Sequence, residues 1–240
     1  MIIKRLYDVL YPPRCPGCDD ILYDRGRVSR PMVCPKCDEK ILRVKQPACM
    51  KCGKPLDAYE EEYCADCAKK NHEYNRGIAT FVYSETMKRS MYGFKYNGRR
   101  EYANFYAAET AGNWSHIIRM WNADALIPVP LHPAKLRKRG YNQAEDFARA
   151  LSGRLDIPVV TDVLQRVKNT RPQKELDDKG RNQNINNAFK IKNNIVRYKK
   201  IVLIDDIYTT GTTINECAKV LKGAGVSEIY FVTVCIGKGF

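Results

Sequence analysis

Eight cysteines between positions 15 and 67 constrain the fold of this sequence more than any other feature. They form four Cys-X-X-Cys pairs, which are Cys15/Cys18, Cys34/Cys37, Cys49/Cys52 and Cys64/Cys67. A Cys-X-X-Cys turn places two thiolates on one side of a tight loop, so two such turns can surround a zinc ion with four sulfur atoms. The segment has few apolar runs and needs an internal crosslink of this kind to fold. We therefore predict structural zinc, with no open coordination position for catalysis.

The spacing of these pairs suits small zinc ribbons but leaves their grouping open. Gaps of 15, 11 and 11 residues separate successive pairs. A sequential grouping, with the first two pairs on one ion and the last two on another, is favoured over a cross-braced grouping. A vestigial pair would leave one zinc ion instead of two. Disulfides are the competing interpretation, but they are rare in the cytosol.

The net positive charge of the chain lies almost entirely outside the cysteine-rich segment. The 240 residues carry 41 Lys and Arg against 27 Asp and Glu, whereas residues 1–75 carry 14 against 12. Such a field attracts polyanions, either nucleic acid or a small ligand with several phosphates. The composition changes at the same point, so we predict a zinc-binding module over residues 1–75 and a second domain over residues 76–240.

Nothing in the sequence has the character of a membrane anchor or an export signal. No apolar run approaches the roughly 18–20 residues that span a bilayer. Residues 1–13 lack the apolar core and the cleavage site of a signal peptide, and residues 1–14 are predicted to be a short amphipathic lead-in. We expect a cytoplasmic protein.

After residue 76 the apolar pattern alternates between the periods of strands and helices. Strands are predicted at residues 78–83, 125–130, 159–164, 200–204 and 229–234, and helices at residues 85–96, 101–112, 142–155 and 213–222. This alternation predicts an α/β domain with a mostly parallel sheet flanked by helices. A basic loop after the second strand and a polar segment at 166–187 interrupt the pattern. Cys217 and Cys235 fall in apolar segments and are predicted to be buried thiols.

The strand predicted at 200–204 leads into the residues with the clearest chemical character. Two acids and a turn rich in hydroxyl groups follow it: Asp205, Asp206, Thr209, Thr210, Gly211, Thr212 and Thr213. Acids at the carboxyl end of a parallel strand can accept hydrogen bonds from the cis-diol of a ribose. The next helix offers unpaired N–H groups to a phosphate, which the glycine lets approach closely. Helix capping would explain one acid and one threonine, but not the whole set.

Taken together, these motifs resemble the ComF family of proteins with a type I phosphoribosyltransferase fold. Residues 202–213 resemble the binding motif for phosphoribosyl pyrophosphate (PRPP). Further matching stretches are Phe94-Lys95-Tyr96, residues 127–133, Arg139-Gly140-Tyr141-Asn142-Gln143 and the polar pattern over 166–189. With the cysteine pairs, the resemblance covers essentially the whole chain. It implies a zinc-ribbon-like module before a phosphoribosyltransferase-like domain, and a link to natural competence, in which imported single-stranded DNA is processed.

The resemblance also implies roles for individual residues. Asp205 and Asp206 would be the catalytic and ribose-binding acids, and the basic loop, with Arg137 and Arg139, would hold the pyrophosphate together with Mg²⁺. Lys95 would reach the same site. The segment 166–187 fits a lid that closes over PRPP, with disorder or a nucleic-acid-binding arm as alternatives. The alternative for the basic loop is a solvated loop without a role in binding.

Three functions stay open from the sequence alone. The favoured one is an enzyme that transfers ribose 5-phosphate between PRPP and a base or another nucleophile, because acids, basic loop and lid candidate occur together. The second is an adaptor that keeps the PRPP site without the chemistry. The third is a competence protein that binds single-stranded DNA through its basic domain and its zinc ribbons, with other competence proteins as further candidate partners. The acceptor is not named by the sequence.

Overall fold

A parallel sheet forms the centre of the computed structural model, which describes residues 12–23, 31–169 and 187–237. Its strands, in the spatial order β1-β6-β5-β2, are β1 (Arg76–Val82), β6 (Glu228–Ile236), β5 (Lys200–Tyr208) and β2 (Ala125–Pro128). All neighbouring pairs are parallel. Residues 201–204 of β5 are buried without interruption, as expected for a strand covered on both faces. The predicted α/β class is therefore confirmed.

Helices cover the sheet and begin or end close to the predicted positions. In the described chain they are α1 (Pro35–Asp38), α2 (Ala65–Lys69), α3 (Glu85–Tyr96), α4 (Tyr102–Met120), α5 (Pro133–Arg139), α6 (Gln143–Leu155) and α7 (Thr212–Gly223). Helix α3 buries Met87, Met91 and Phe94. Helix α4 continues eight positions beyond residue 112, because Trp114, Ile117 and Ile118 keep its apolar face against the core.

Three further predicted elements differ from the structure. The strand predicted at 159–164 is wrong: Val159 forms a single bridge with Leu126, and exposed Thr161 and Asp162 turn the chain away. The ordered strand there is β3 (Leu164–Arg166), which pairs antiparallel with β4 (Phe189–Ile191). The basic loop contains the short helix α5. Strand β5 continues through both acids to Tyr208, because β6 remains paired with it.

The cysteine-rich segment packs directly against the edge of the sheet. Val44 N–H donates to Thr80 O at 2.9 Å, and Val82 N–H donates to Leu42 O at 2.8 Å. Gly77 N–H, further along the same edge of β1, donates to Lys51 O at 2.8 Å. Backbone of the module therefore satisfies the groups that β1 would otherwise expose.

The two groups of cysteines contribute differently to the core. Cys49, Cys52 and Cys64 belong to the main hydrophobic core of the molecule. Cys15 and Cys37 form a small separate cluster with Leu22. The predicted burial of the remaining thiols is confirmed, since Cys217 and Cys235 are fully buried.

Within the described ranges, each helix is too short or too polar to cross a bilayer. The lead-in predicted at residues 1–14 falls almost wholly outside the described residues, as does most of the lid candidate at 166–187.

Candidate functional site

The acid pair lies where the sheet opens. Strand β2 ends at Pro128, which pairs with Ile204 on β5, so the next two residues of β5, Asp205 and Asp206, extend beyond their neighbour. A shallow, open depression begins there. It is lined by Asp205, Ile207, Tyr208, Thr209, Gly211, Thr212, Thr213 and Ile214. The structure thus brings one predicted acid and most of the predicted phosphate loop to a single concave surface.

The phosphate loop turns sharply into helix α7. Gly211 is the residue before the helix and has a φ of 76°, a conformation that side chains disfavour. A Cβ atom there would lie 2.4 Å from the Tyr208 hydroxyl, so both conformation and space require glycine. The hydroxyls of Thr210 and Thr212 are hydrogen-bonded to each other at 2.8 Å. The helix start and these hydroxyls are suited to an anion.

The two acids have different surroundings. Asp206 is 8% exposed; its Oδ2 atom lies 2.9 Å from Lys95 Nζ and accepts a hydrogen bond from Gln143 Nε2 at 2.6 Å. Asp205 accepts a hydrogen bond from the backbone N–H of Asp206 at 2.8 Å. The acid with room to meet a ligand is therefore Asp205, whereas Asp206 holds Lys95 and Gln143 in place.

The charge of Asp206 shifts the pKa values of its neighbours Lys95 and Asp205. Burial alone would lower the pKa of Lys95, but the charge of Asp206 and its hydrogen bond raise that pKa above its usual value. Burial and then the charge of Asp206 raise the pKa of Asp205 to about 7. Lys95 therefore remains a cation, and Asp205 changes its charge near neutral pH.

The predicted basic loop supplies its cations from helix α5. The side chain of His132 caps the start of this helix by accepting from Ala134 N–H at 3.2 Å, and Gly140 ends it at a φ of 85°. Arg139 donates to Gln143 Oε1, which links it to Asp206. Arg137 is exposed on the same helix. Of the two predicted arginines, Arg139 is the one joined to the acid pair.

Residues 141–143 tie three elements together around the acids. Tyr141 donates to the carbonyl oxygen of Phe94 in α3. Asn142 donates to Val129 O at 3.1 Å and caps α6 by accepting from Ala144 N–H at 3.1 Å. Gln143 follows in the first turn of α6. This short stretch therefore fixes α3, the end of β2 and the acid pair relative to one another.

Two further cations lie beside the site without a clear signal in the sequence. The pKa of Lys135 is lowered by burial and by the charges of Arg166 and Arg139. Burial also lowers the pKa of Arg166, and the charge of Asp205 opposes this shift. The charges of Arg166 and Arg139 thus act on Lys135, and the charges of Asp205 and Asp206 act on Arg166. Arg166 was predicted only as part of a lid, and Lys135 only as part of the basic loop.

The eight paired cysteines form two groups of four, in the sequential order favoured by the sequence. In each group the sulfur atoms all lie within 4.8 Å of one another. Cys18 Sγ and Cys34 Sγ are 3.9 Å apart, and Cys52 Sγ and Cys64 Sγ are 3.7 Å apart. Four sulfur ligands at about 2.3 Å from zinc would be about 3.8 Å apart. The donor sets therefore fit two structural zinc ions.

The raised pKa of Asp205 leads to a prediction about stability. Its unfolded value is about 3.9, so its contribution to stability is fully present below that pH and is lost as pH rises towards 7. Asp205→Asn mimics the protonated acid. We expect it to raise the melting temperature by about 5 °C at pH 8, and by about half as much at pH 5.5.

Thermal unfolding followed by circular dichroism at the two pH values measures this effect. Glu60→Gln, at an exposed acid, is the control and should leave the melting temperature unchanged at both. A lower melting temperature for Asp205→Asn at pH 8 would contradict the assignment.

Comparison with known proteins finds matches for both parts of the chain. A model of the double zinc ribbon domain matches residues 6–68, and a model of the phosphoribosyl transferase domain matches residues 138–239. Competence protein F of Haemophilus influenzae is 44% identical over 108 residues, which are 44% of this chain and 47% of that protein. Competence protein ComFC of Streptococcus pneumoniae is 30% identical over 63% of this chain and 64% of that protein.

A further relative is the DNA utilization protein YhgH of Escherichia coli O157:H7. It is 30% identical over 112 residues, 47% of this chain and 49% of that protein. The chain thus spans about half to just under two thirds of the length of these curated relatives.

Proposed function

This chain belongs to the ComF family, and from that premise we propose that it binds PRPP with Mg²⁺ at residues 205–213 and acts in DNA uptake. The observation that carries the proposal is the open edge of the sheet. There Asp205 borders a depression that ends at the start of α7. The cations Lys95 and Arg139 are linked to the neighbouring Asp206, directly or through Gln143, and the charges of Lys95 and Arg166 act on Asp205. Few ligands need a diol acceptor, a phosphate cradle and several cations side by side, and PRPP needs all three.

Each group on PRPP has a proposed partner. The carboxylate of Asp205 accepts hydrogen bonds from the ribose hydroxyls. The 5-phosphate binds the N–H groups and hydroxyls of residues 209–213. The pyrophosphate faces Arg139, Lys135 and Arg166, which neutralise its charge, while Arg137 is available at the rim. The ion pair with Asp206 holds Lys95 as a further cation close to the leaving group.

Magnesium fits this set of donors. Mg²⁺ usually binds through one or two carboxylates together with substrate phosphates, and Asp205 offers such a carboxylate. Its chemistry when bound is to share the negative charge of the pyrophosphate. The cysteine groups, in contrast, offer only thiolates and would hold zinc as a purely structural ion.

The reaction proposed is transfer of the ribose 5-phosphate group. The bond from ribose C1 to pyrophosphate breaks, and pyrophosphate leaves with the electron pair. A base or another nucleophile forms the new bond to C1 and loses its proton to solvent. Because the cations are already in place, their charge stabilises the leaving group without rearrangement.

The proposal includes a division into a module over residues 1–75 and a domain over residues 76–240. It also includes a cytoplasmic location, where thiolates stay reduced.

A second candidate function is binding of single-stranded DNA. Tyr92 and Tyr96 are exposed one turn apart on α3, with ring centroids 5.1 Å apart, and Arg139 lies over the ring of Tyr96. Aromatic rings beside cations suit stacking of bases. An adaptor that binds PRPP without turnover is the remaining alternative, and a turnover assay with a panel of bases distinguishes it from the enzyme.

Calorimetric titration with PRPP and Mg²⁺ tests the proposal. We expect Asp205→Asn to weaken binding at least tenfold, because an amide is a poorer acceptor than a carboxylate, even though it raises stability. Asp206→Asn should also weaken binding, but with a lower melting temperature, because Lys95 would stay buried without its counter-charge. Glu60→Gln is the control. Unchanged affinity in Asp205→Asn, or no binding to the unaltered protein, would reject the proposed function.

A further inference from the structure

A continuous row of side chains joins the second cysteine group to the phosphate loop. Cys67 Sγ lies 3.7 Å from Nε2 of His72. The ring of His72 stacks on Tyr74, with centroids 4.8 Å apart. The hydroxyl of Tyr74 is hydrogen-bonded to the hydroxyl of Tyr208 at 2.7 Å. Each contact is direct, so the row has no gap between a zinc-ligating cysteine and the site.

Tyr208 packs against the phosphate loop at Gly211. Its hydroxyl is the atom that a Cβ at Gly211 would strike at 2.4 Å. Its ring stacks on Phe231 with an interplanar angle of 1°, and Tyr74 meets the same Phe231 edge-on at 4.9 Å. Tyr74 is 1% exposed and Tyr208 is 4% exposed. The two hydroxyls are therefore held by buried rings and have little freedom to find other partners.

The segment after the second cysteine group also contacts α7, the helix that follows the phosphate loop. Glu73 N–H donates to Oδ1 of Asn215 at 2.7 Å, and Asn215 N–H donates to Gly211 O at 2.8 Å. Lys51, from the third Cys-X-X-Cys turn, places its Nζ 5.4 Å from the centre of the Tyr74 ring. The module thus contacts both the floor of the loop and the first turn of α7.

We propose that Tyr74 and Tyr208 couple the second cysteine group to the phosphate loop, so that zinc binding and binding of a phosphate ligand strengthen each other. The inference rests on the proposed function for the ligand, but the coupling itself is a property of the contacts. Ordering of the cysteine group fixes Tyr74, Tyr74 fixes Tyr208, and Tyr208 fixes the backbone at Gly211. Because coupling between two sites is reciprocal, the phosphate ligand must raise the affinity for zinc by the same factor by which zinc raises the affinity for the ligand. Tyr74 is here a positioning residue, since it lies behind the loop.

Substitutions that remove one hydroxyl test the row. We expect Tyr74→Phe and Tyr208→Phe each to weaken PRPP binding about three- to tenfold, because a buried hydroxyl loses its partner. The double variant should be no weaker than either single one, because its phenylalanines leave no hydroxyl unpaired. Tyr230→Phe is the matched control: its hydroxyl bonds to Glu228 on the same sheet, away from the row. Simple additivity of the two losses would contradict a shared hydrogen bond.

Release of zinc to a coloured chelator tests the reciprocal effect. In the unaltered protein, saturating PRPP with Mg²⁺ should slow release of one of the two zinc ions about three- to tenfold. In Tyr74→Phe this protection should disappear, although the variant stays folded and its melting temperature without ligand falls by only a few degrees. Protection that is equal in Tyr74→Phe and in the unaltered protein would overturn the coupling.

Hydrogen exchange separates failure of the coupling from failure of the proposed ligand. Removal of zinc, or Tyr74→Phe, should speed amide exchange at residues 209–213 in the protein without ligand, and Tyr230→Phe should not. If the unaltered protein does not bind PRPP, the proposed function fails, and the exchange data still decide whether the row exists. Unchanged exchange at these amides in Tyr74→Phe would overturn the coupling even if PRPP binds.

Discussion

Loss of zinc from the second cysteine group is expected to destabilise the whole protein, whereas loss from the first should have a local effect. Cys52 is 1% exposed and lies in the main core with Cys49 and Cys64. Cys18 is exposed, and its neighbours form a small separate cluster. Structural zinc contributes on the order of 10 kcal/mol to the fold of its own site. We expect Cys52→Ser to lower the melting temperature by more than about 10 °C, and Cys18→Ser by a few degrees.

Calorimetry together with zinc analysis measures this difference. Each variant should lose about one zinc ion, so the comparison is made at equal metal content. Cys217→Ser is the control for a buried thiol that binds no metal, and it should keep both ions. Equal losses of melting temperature in Cys18→Ser and Cys52→Ser would show that the second group does not share the main core.

The second large effect is expected from the hydroxyls of the phosphate loop. Thr210→Val with Thr212→Val keeps the charge and nearly keeps the shape, but removes the two bonded hydroxyls. A hydrogen bond to a charged group contributes about 1.5–3 kcal/mol. The double variant should therefore lose at least about a hundredfold in affinity for PRPP. Binding of a single-stranded oligonucleotide should be unchanged, because its phosphates would follow the basic surface outside the loop. Calorimetry and fluorescence anisotropy measure the two ligands.

The salt dependence of affinity distinguishes the two ligands independently of the variant. A groove that neutralises many phosphates loses about a thousandfold in affinity between about 50 and 200 mM salt, whereas a compact PRPP site with Mg²⁺ should lose much less. Thr161→Val, at an exposed turn, is the control. Equal loss of both ligands would mean that they share one site, and loss of neither would reduce the loop to a helix cap.

Local patterns were sufficient to predict most of the sheet and its helices. The bounds of α3 were predicted without error, because Ser84 caps its start and the apolar residues repeat at helical spacing. The spacing of the cysteines left their grouping open, and the structure has the sequential grouping that was favoured. The strand predicted at 159–164 failed because apolar content alone does not supply a neighbour: the pairing with β2 ends after Val160 N–H donates to Leu126 O, and the exposed Thr161 and Asp162 follow.

Contacts between distant segments decided what the sequence could not show. The pairing of Asp206 with Lys95 joins residues more than a hundred positions apart, and it turns one of two similar acids into a support for the other. Gln143 had a signal, as part of the stretch 139–143, but its hydrogen bond to Asp206 depends on the meeting of α6 and β5. Lys135 and Arg166 reach the site only through the packing of α5 and β3. The roles of all these residues in PRPP binding stay predictions.

The backbone pairing between the module and β1 has a consequence for solubility. Thr80, Val82 and Gly77 would lose their partners if the segment around Leu42 and Lys51 came away. A bare parallel strand of seven residues, six of them buried in the folded protein, is a template for strands from other molecules. Zinc-depleted protein should therefore assemble edge to edge into β-rich aggregates, and the thiolate groups protect the fold against self-association as well as against unfolding.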